Sequence, residues 1–114
     1  MHELAVTESV LGIVLKHAGA ARANKVTAIH LTIGELTGFV DESIQFYFDF
    51  ISKDTLAEGA RLTFNRIPAR ARCRQCAHEF APGAGQLWVC PACGAIGGEV
   101  VAGREFFVDS IEVE

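Results

Sequence analysis

The sequence predicts an α+β protein: two helices on a three-stranded sheet, with a zinc-ribbon-like four-cysteine module inserted into it. Three observations carry that expectation. Apolar residues recur at helical spacing in two segments, and β-branched and aromatic residues mark three strands. Between the last two strands the composition shifts sharply toward Gly, Ala and Cys, without periodicity.

The first helix is expected from Leu4 to about Ala21. Leu4, Leu11, Val14, Leu15 and Ala18 form its apolar stripe, and Thr7, Glu8 and Lys16 its polar face. "KVTAIHLTIG" follows as a strand, with Thr27, Ile29, Leu31 and Ile33 alternating against Val26, Ala28, His30 and Thr32. His30 reads as a satisfied, half-buried strand histidine. Asp41 is typed for the N-cap of the second helix, which buries Ile44, Tyr47, Phe48 and Ile51 and carries Phe46 and Phe50 on its flank. "RLTFNRI" is the second strand and "REFFVDSIEVE" the last. An irregular insert between two strands suggests that those two pair antiparallel, with the insert at their far end. The expected division is residues 1–71 plus 102–114 as the main domain and 72–101 as the inserted module.

Composition narrows the function. Half of the 114 residues are hydrophobic, eight of them Phe, enough for a modest core. A net charge of −4 argues against a nucleic-acid binder, whose affinity rests on neutralising phosphates. No apolar run approaches the roughly 18 residues of a membrane span. Glu3, Glu8, Lys16 and Arg22 break up the first 22 residues, so no secretory signal is read there and a cytoplasmic location is expected. Cysteines in that compartment stay reduced and need a reason other than disulfides.

That reason lies in "CRQC" and "CPACG", which give Cys73-x2-Cys76-x13-Cys90-x2-Cys93. Each CxxC presents two thiolates from a tight knuckle, and two facing knuckles complete the tetrahedral sulfur site that zinc prefers. Iron in the same geometry and a redox dithiol pair are the alternatives. Pro82, Gly83 and Gly85 are expected to supply the turn between the knuckles, and Gly94 to let the backbone fold back toward sulfur. With four sulfurs on the metal no position stays open for a substrate, so the ion is scaffolding. His78 could add a ligand or a hydrogen bond to sulfur, or be a plain surface histidine. Arg66, Arg70, Arg72 and Arg74 read as solvated charges on an exposed connecting strand.

The chain opens "MHE". A bulky second residue blocks removal of the initiator, so the Met1 amine is expected to persist. That amine, the His2 amide and the His2 Nδ1 can wrap one ion in a five- and a six-membered ring. A planar nitrogen set of this kind points to Ni(II) or Cu(II). Glu3, through its amide or its carboxylate, could supply the fourth position, as could water or a partner. On geometry alone the signal is weak, because any chain starting X-His chelates somewhat.

"MHELAV", "IHLTIGELTGFVDESIQFYFDF", "AEGARLTF", "CRQC…CPACG" and "GREFFVDSIEVE" together resemble the HypA/HybF family of nickel metallochaperones, nearly end to end. The resemblance implies a transient nickel site at the Met1 backbone amine, His2 and Glu3, and a structural zinc site at Cys73, Cys76, Cys90 and Cys93. It implies nickel delivery in [NiFe]-hydrogenase maturation with a HypB-type GTPase, to the hydrogenase large-subunit precursor, and in some organisms to urease with its accessory proteins. It implies no catalysis by this chain, and a monomer or weak homodimer. Some members carry a His beside each CxxC. Here His78 matches one while the second position is Gly94, which counts against a two-histidine zinc form. The competing reading is a zinc-ribbon adaptor or nucleic-acid module in which MHE is idle. It is disfavoured by the acidic charge and by a single Trp and a single Tyr.

Overall fold

The computed structural model describes residues 3–82 and 88–114. Its elements are α1 (Glu3–Ala20), β1 (Val26–Gly34), a single 3-10 turn (Glu35–Thr37), α2 (Asp41–Ile51), β2 (Arg61–Ile67), β3 (Arg70–Arg72), β4 (Glu79–Phe80), β5 (Glu99–Ala102) and β6 (Phe106–Val113). The chain resolves into two compact units. One comprises residues 1–32, 38–65 and 106–114, and the other 33–37 and 66–105.

In the first unit α1 packs on α2 and against β6. The buried stripe of α1 is Thr7, Val10, Val14 and Ala18. The leucine stripe read from the sequence is therefore rotated: Leu4 is 40% exposed, and Thr7, assigned to the polar face, is fully buried. Burial is tolerated because the Thr7 hydroxyl donates to the carbonyl of Glu3 one turn back, so no polar atom is stranded. On β1, Ile29 and Leu31 are almost fully buried, as their alternation predicts. On α2 only Ile44 and Phe48 are buried, while Tyr47 and Ile51 are half-buried. The N-cap of α2 is Val40, not Asp41; it has extended backbone (φ −104°, ψ 125°) and no side-chain oxygen to offer.

The three-stranded sheet runs β2-β1-β6. The expected β2–β6 pairing is thus not made, because β1 lies between them. The reason is burial. β1 hides six of its nine residues, whereas β2 and β6 alternate toward solvent, as edge strands can. His30 links all three strands: its Nδ1 meets the Thr63 hydroxyl on β2, and its Nε2 lies 2.6 Å from Glu112 on β6.

The insert is less irregular than its composition suggests. Three short strands form an antiparallel sheet, β4-β3-β5, with Ala71 opposite Phe80 on one side and Val100 on the other. Arg72 pairs with Glu79 at 3.0 Å and Glu99 at 3.7 Å, so it is a cross-strand tie and not simply a solvated charge. In the same unit Gly34 and Gly103 meet backbone to backbone. The Leu36 N–H donates to the Gly103 carbonyl at 2.7 Å, and a Cβ on Gly34 would fall 2.1 Å from Gly103 backbone atoms. Gly103 itself has φ +116°, a left-handed value that glycine alone adopts readily.

Candidate metal centre

Two knuckles of matching geometry build the centre. In the first, the Cys73 N–H donates to the His78 carbonyl at 2.9 Å and the Ala77 N–H to the Cys73 carbonyl at 3.0 Å. In the second, the Cys90 N–H donates to Ala95 at 2.9 Å and the Gly94 N–H to Cys90 at 2.8 Å. The fifth residue of each turn must swing left-handed for the chain to fold back. Gly94 does so at φ +78° without penalty, as the sequence predicts, while Ala77 does so at φ +65° against its own Cβ. By this pseudo-symmetry the place equivalent to His78 belongs to Ala95, one residue beyond Gly94.

The knuckles close on each other. The four Sγ atoms of Cys73, Cys76, Cys90 and Cys93 all lie within 4.8 Å of one another. Cys73 and Cys93 approach to 3.5 Å, Cys76 and Cys90 to 3.6 Å. A tetrahedron with metal–sulfur bonds of about 2.3 Å has edges of about 3.8 Å, so the spacing fits a four-sulfur metal site. A disulfide needs sulfurs about 2.05 Å apart, and all four cysteines are free. Cys73 and Cys90 are buried and Cys76 and Cys93 exposed, so the cluster has one dry and one wet side.

Backbone N–H groups point at the sulfurs and favour thiolate. The Cys76 and Gln75 amides lower the Cys73 thiol from its ordinary 9.0 to about 6, and the Gln75 contact is 3.3 Å. At Cys93 the Ala95 amide pulls the same way. The crowding of Cys73 and partial burial outweigh it and push Cys93 up to about 12. Cys76, with the His78 amide on its sulfur, is likewise raised by burial and its cysteine neighbours. Four thiolates cannot coexist at this distance without a cation. The metal-free cluster therefore sets Cys73, the readiest to ionise, beside the protonated thiols of Cys76 and Cys93, and a divalent ion would take all four sulfurs. Around the site, among the described residues, Ala71, Cys73, Phe80 and Cys90 form the core, with Trp88 and Ala95 packed on it.

Of the other residues singled out by sequence, His78 is exposed and is not among the converging ligand atoms. Met1 and His2 lie outside the described residues, as do Gly83 and Gly85 of the expected inter-knuckle turn. Glu3 is half-buried at the first position of α1, and its carboxylate accepts the backbone N–H of Val40 at 2.8 Å. Sequence reasoning did not reveal that contact. The one signal available was the absence of a capping side chain at Val40. No helix among the described residues is long and apolar enough to cross a membrane.

Comparison with known proteins agrees with this architecture. Residues 1–113 match the family model described as hydrogenase/urease nickel incorporation, metallochaperone, hypA. The chain is 49% identical to the hydrogenase maturation factor HypA of Dehalococcoides mccartyi, over all of this chain and 95% of that one. It is 47% identical to its counterpart in Geobacter metallireducens, over the full length of both. In fold it is similar to the solution structure of the Ni metallochaperone HypA from Helicobacter pylori, with a TM-score of 0.67, 24% identity, and coverage of 99% and 97%. A second HypA solution structure gives a TM-score of 0.74 at the same identity, covering 100% of this chain and 97% of that one. A chain of this length, with four converging cysteines and relatives matched end to end, belongs to the HypA family of hydrogenase/urease nickel-incorporation metallochaperones.

Proposed function

We propose that this protein carries Ni(II) at its amino terminus and hands it to the hydrogenase maturation machinery, with zinc at the four cysteines as scaffold. The observation that carries this reading is the closure of the sulfur cluster. Four Sγ atoms within 4.8 Å of one another use up a tetrahedral ion's positions. A cargo ion must therefore be held elsewhere, and "MHE" supplies the donors: the Met1 amine, the His2 amide and imidazole, and Glu3. Nitrogen donors in a plane suit Ni(II), and an exposed terminal site can give its ion away. Sulfur in a closed tetrahedron suits Zn(II).

On this reading residues 1–71 with 102–114 form the nickel-binding domain and 72–101 the zinc module. A HypB-type GTPase and the hydrogenase large-subunit precursor are the protein partners, urease accessory proteins a further pair of hands in some cells, and the cytoplasm the place of work. The sequence carries no P-loop, so any hydrolysis that drives transfer is assigned to the partner.

Extending the amino terminus by a few residues turns the Met1 amine into an amide and opens the first chelate ring. His2→Ala opens the second. Nickel dialysis on the native, extended and His2→Ala forms, with zinc content measured alongside, should show tight nickel only in the native form and one zinc in all three. Nickel should leave as pH falls, since protons compete at an imidazole near pKa 6.5 and an amine near 8. An extended protein that holds nickel as well as the native one removes the terminus as the site.

A further inference from the structure

We infer that the outer face of α2 docks a basic, amphipathic segment of a partner protein. The inference goes beyond the nickel reading and does not depend on where the ion binds. Glu42, Gln45, Phe46, Asp49 and Phe50 recur at the three- and four-residue intervals that put side chains on one helix face. Ile44 and Phe48, on the opposite side, are buried. Phe46 is 68% exposed and Phe50 67%, the highest values among the eight Phe side chains. Two phenyl rings one turn apart in solvent do nothing for the core. An exposed apolar pair rimmed by polar groups marks an interaction surface.

The face has a hollow of its own. Asp41, Glu42, Gln45, Phe46 and Asp49 of α2 and Phe64 of β2 line a shallow, open depression of about 450 Å³. Gln45 fixes its shape: the side-chain carbonyl accepts the Leu62 N–H of β2 at 3.1 Å, and the side-chain amide donates to Asp49 at 2.7 Å. The lining carries carboxylates and no cation. That charge selects the occupant. A second copy in a two-fold pair would bring the same acidic face against this one, and anionic lipid or nucleic acid would be repelled as well. Lysine and arginine are what the rim attracts, and an exposed aromatic face takes a cation too. The protein already makes this contact with itself, since Lys53 Nζ lies 5.5 Å from the centre of the Phe50 ring. Phe46 meets Tyr47 edge to face at 5.6 Å and keeps most of its surface in solvent. A partner cation therefore has a ring to sit over, and an aliphatic side chain has the hollow beside Phe46 and Phe64.

The test titrates the whole isotope-labelled chain with a synthetic helical peptide that has leucines along one face and lysines and arginines along the other. A control peptide keeps the leucines and replaces every cation by glutamate. The basic peptide should bind saturably, with amide shifts centred on α2 and β2, and the acidic one should not bind. Phe46→Ala combined with Phe50→Ala should weaken binding about tenfold or more, with an unchanged melting temperature, since both rings are exposed. Glu42→Gln should weaken it about threefold, while Glu8→Gln, the same charge change on α1, should leave it as it was. Four results overturn the inference: no saturable binding of the basic peptide, equal binding of the acidic one, shifts centred elsewhere, or equal effects of Glu42→Gln and Glu8→Gln. Sedimentation equilibrium showing a dimer that Phe46→Ala dissolves overturns it too, because a second copy then covers the face.

Discussion

Replacing Cys93 by Ser tests how the inserted module stays folded. Among the described residues its core is four side chains: Ala71, Cys73, Phe80 and Cys90. Phe80 is the one large apolar group, 6% exposed, and its burial is worth about 2–3 kcal/mol. Two of the other three are the proposed ligands, buried because the cluster is closed. A structural zinc contributes an apparent ~10–16 kcal/mol in comparable small modules, several times the apolar contribution here. If the four thiolates share that equally, removing one costs about 3 kcal/mol, or roughly two orders of magnitude in zinc affinity. Competition with a chromophoric chelator measures the affinity. Amide exchange at Cys73 and Cys90, whose N–H groups close the knuckles onto His78 and Ala95, measures the fold of the module. The expected result is weakened zinc, fast exchange at both amides, and a helical signal from α1 and α2 that survives, since those helices bury their own apolar faces. Chelator-treated wild-type protein that keeps both amides protected would refute the argument outright. So would a red, iron-like spectrum in protein from zinc-replete cells, for the identity of the ion.

Three further outcomes are expected. Gly34→Ala forces a Cβ to within 2.1 Å of the Gly103 backbone, an overpacking with no flexible side chain to yield. It should cost about 3 kcal/mol or more, seen as a melting temperature lower by roughly 10 °C; a shift near zero would mean the two backbones part easily. Ala77→Gly relieves the left-handed alanine at φ +65° in the first knuckle and should raise chemical stability by up to about 1 kcal/mol without altering zinc content. Zinc uptake should steepen with pH, because metal-free Cys76 and Cys93 are protonated near neutrality while Cys73, at about 6, is ionised. Binding displaces at least those two protons, so affinity should fall about a hundredfold per pH unit on acidification, with Cys73 adding a third proton below about 6. A pH-independent affinity between 6 and 8 would show that the thiols are already ionised.

The sequence by itself determined the two helices, the three strands of the larger sheet and the chemistry of the cluster, but not the three short strands of the insert. Helical spacing and strand alternation are local properties of a chain, and a CxxC knuckle is built almost entirely from its own six residues. Gly94 was legible for the same reason: the turn after Cys93 needs a left-handed residue whatever surrounds it. What required the tertiary structure were matters of partnership. Which edge of β1 each strand takes depends on which strand hides most of its residues, and that placed β1 between β2 and β6. Thr7 could be buried because a carbonyl one turn away satisfies its hydroxyl, a detail that ranking residues by polarity misses. The close approach of Gly34 to Gly103 and the clamp of Glu3 on Val40 join residues 69 and 37 positions apart. No periodicity encodes such pairs, since each residue alone is ordinary and only folding sets one against the other.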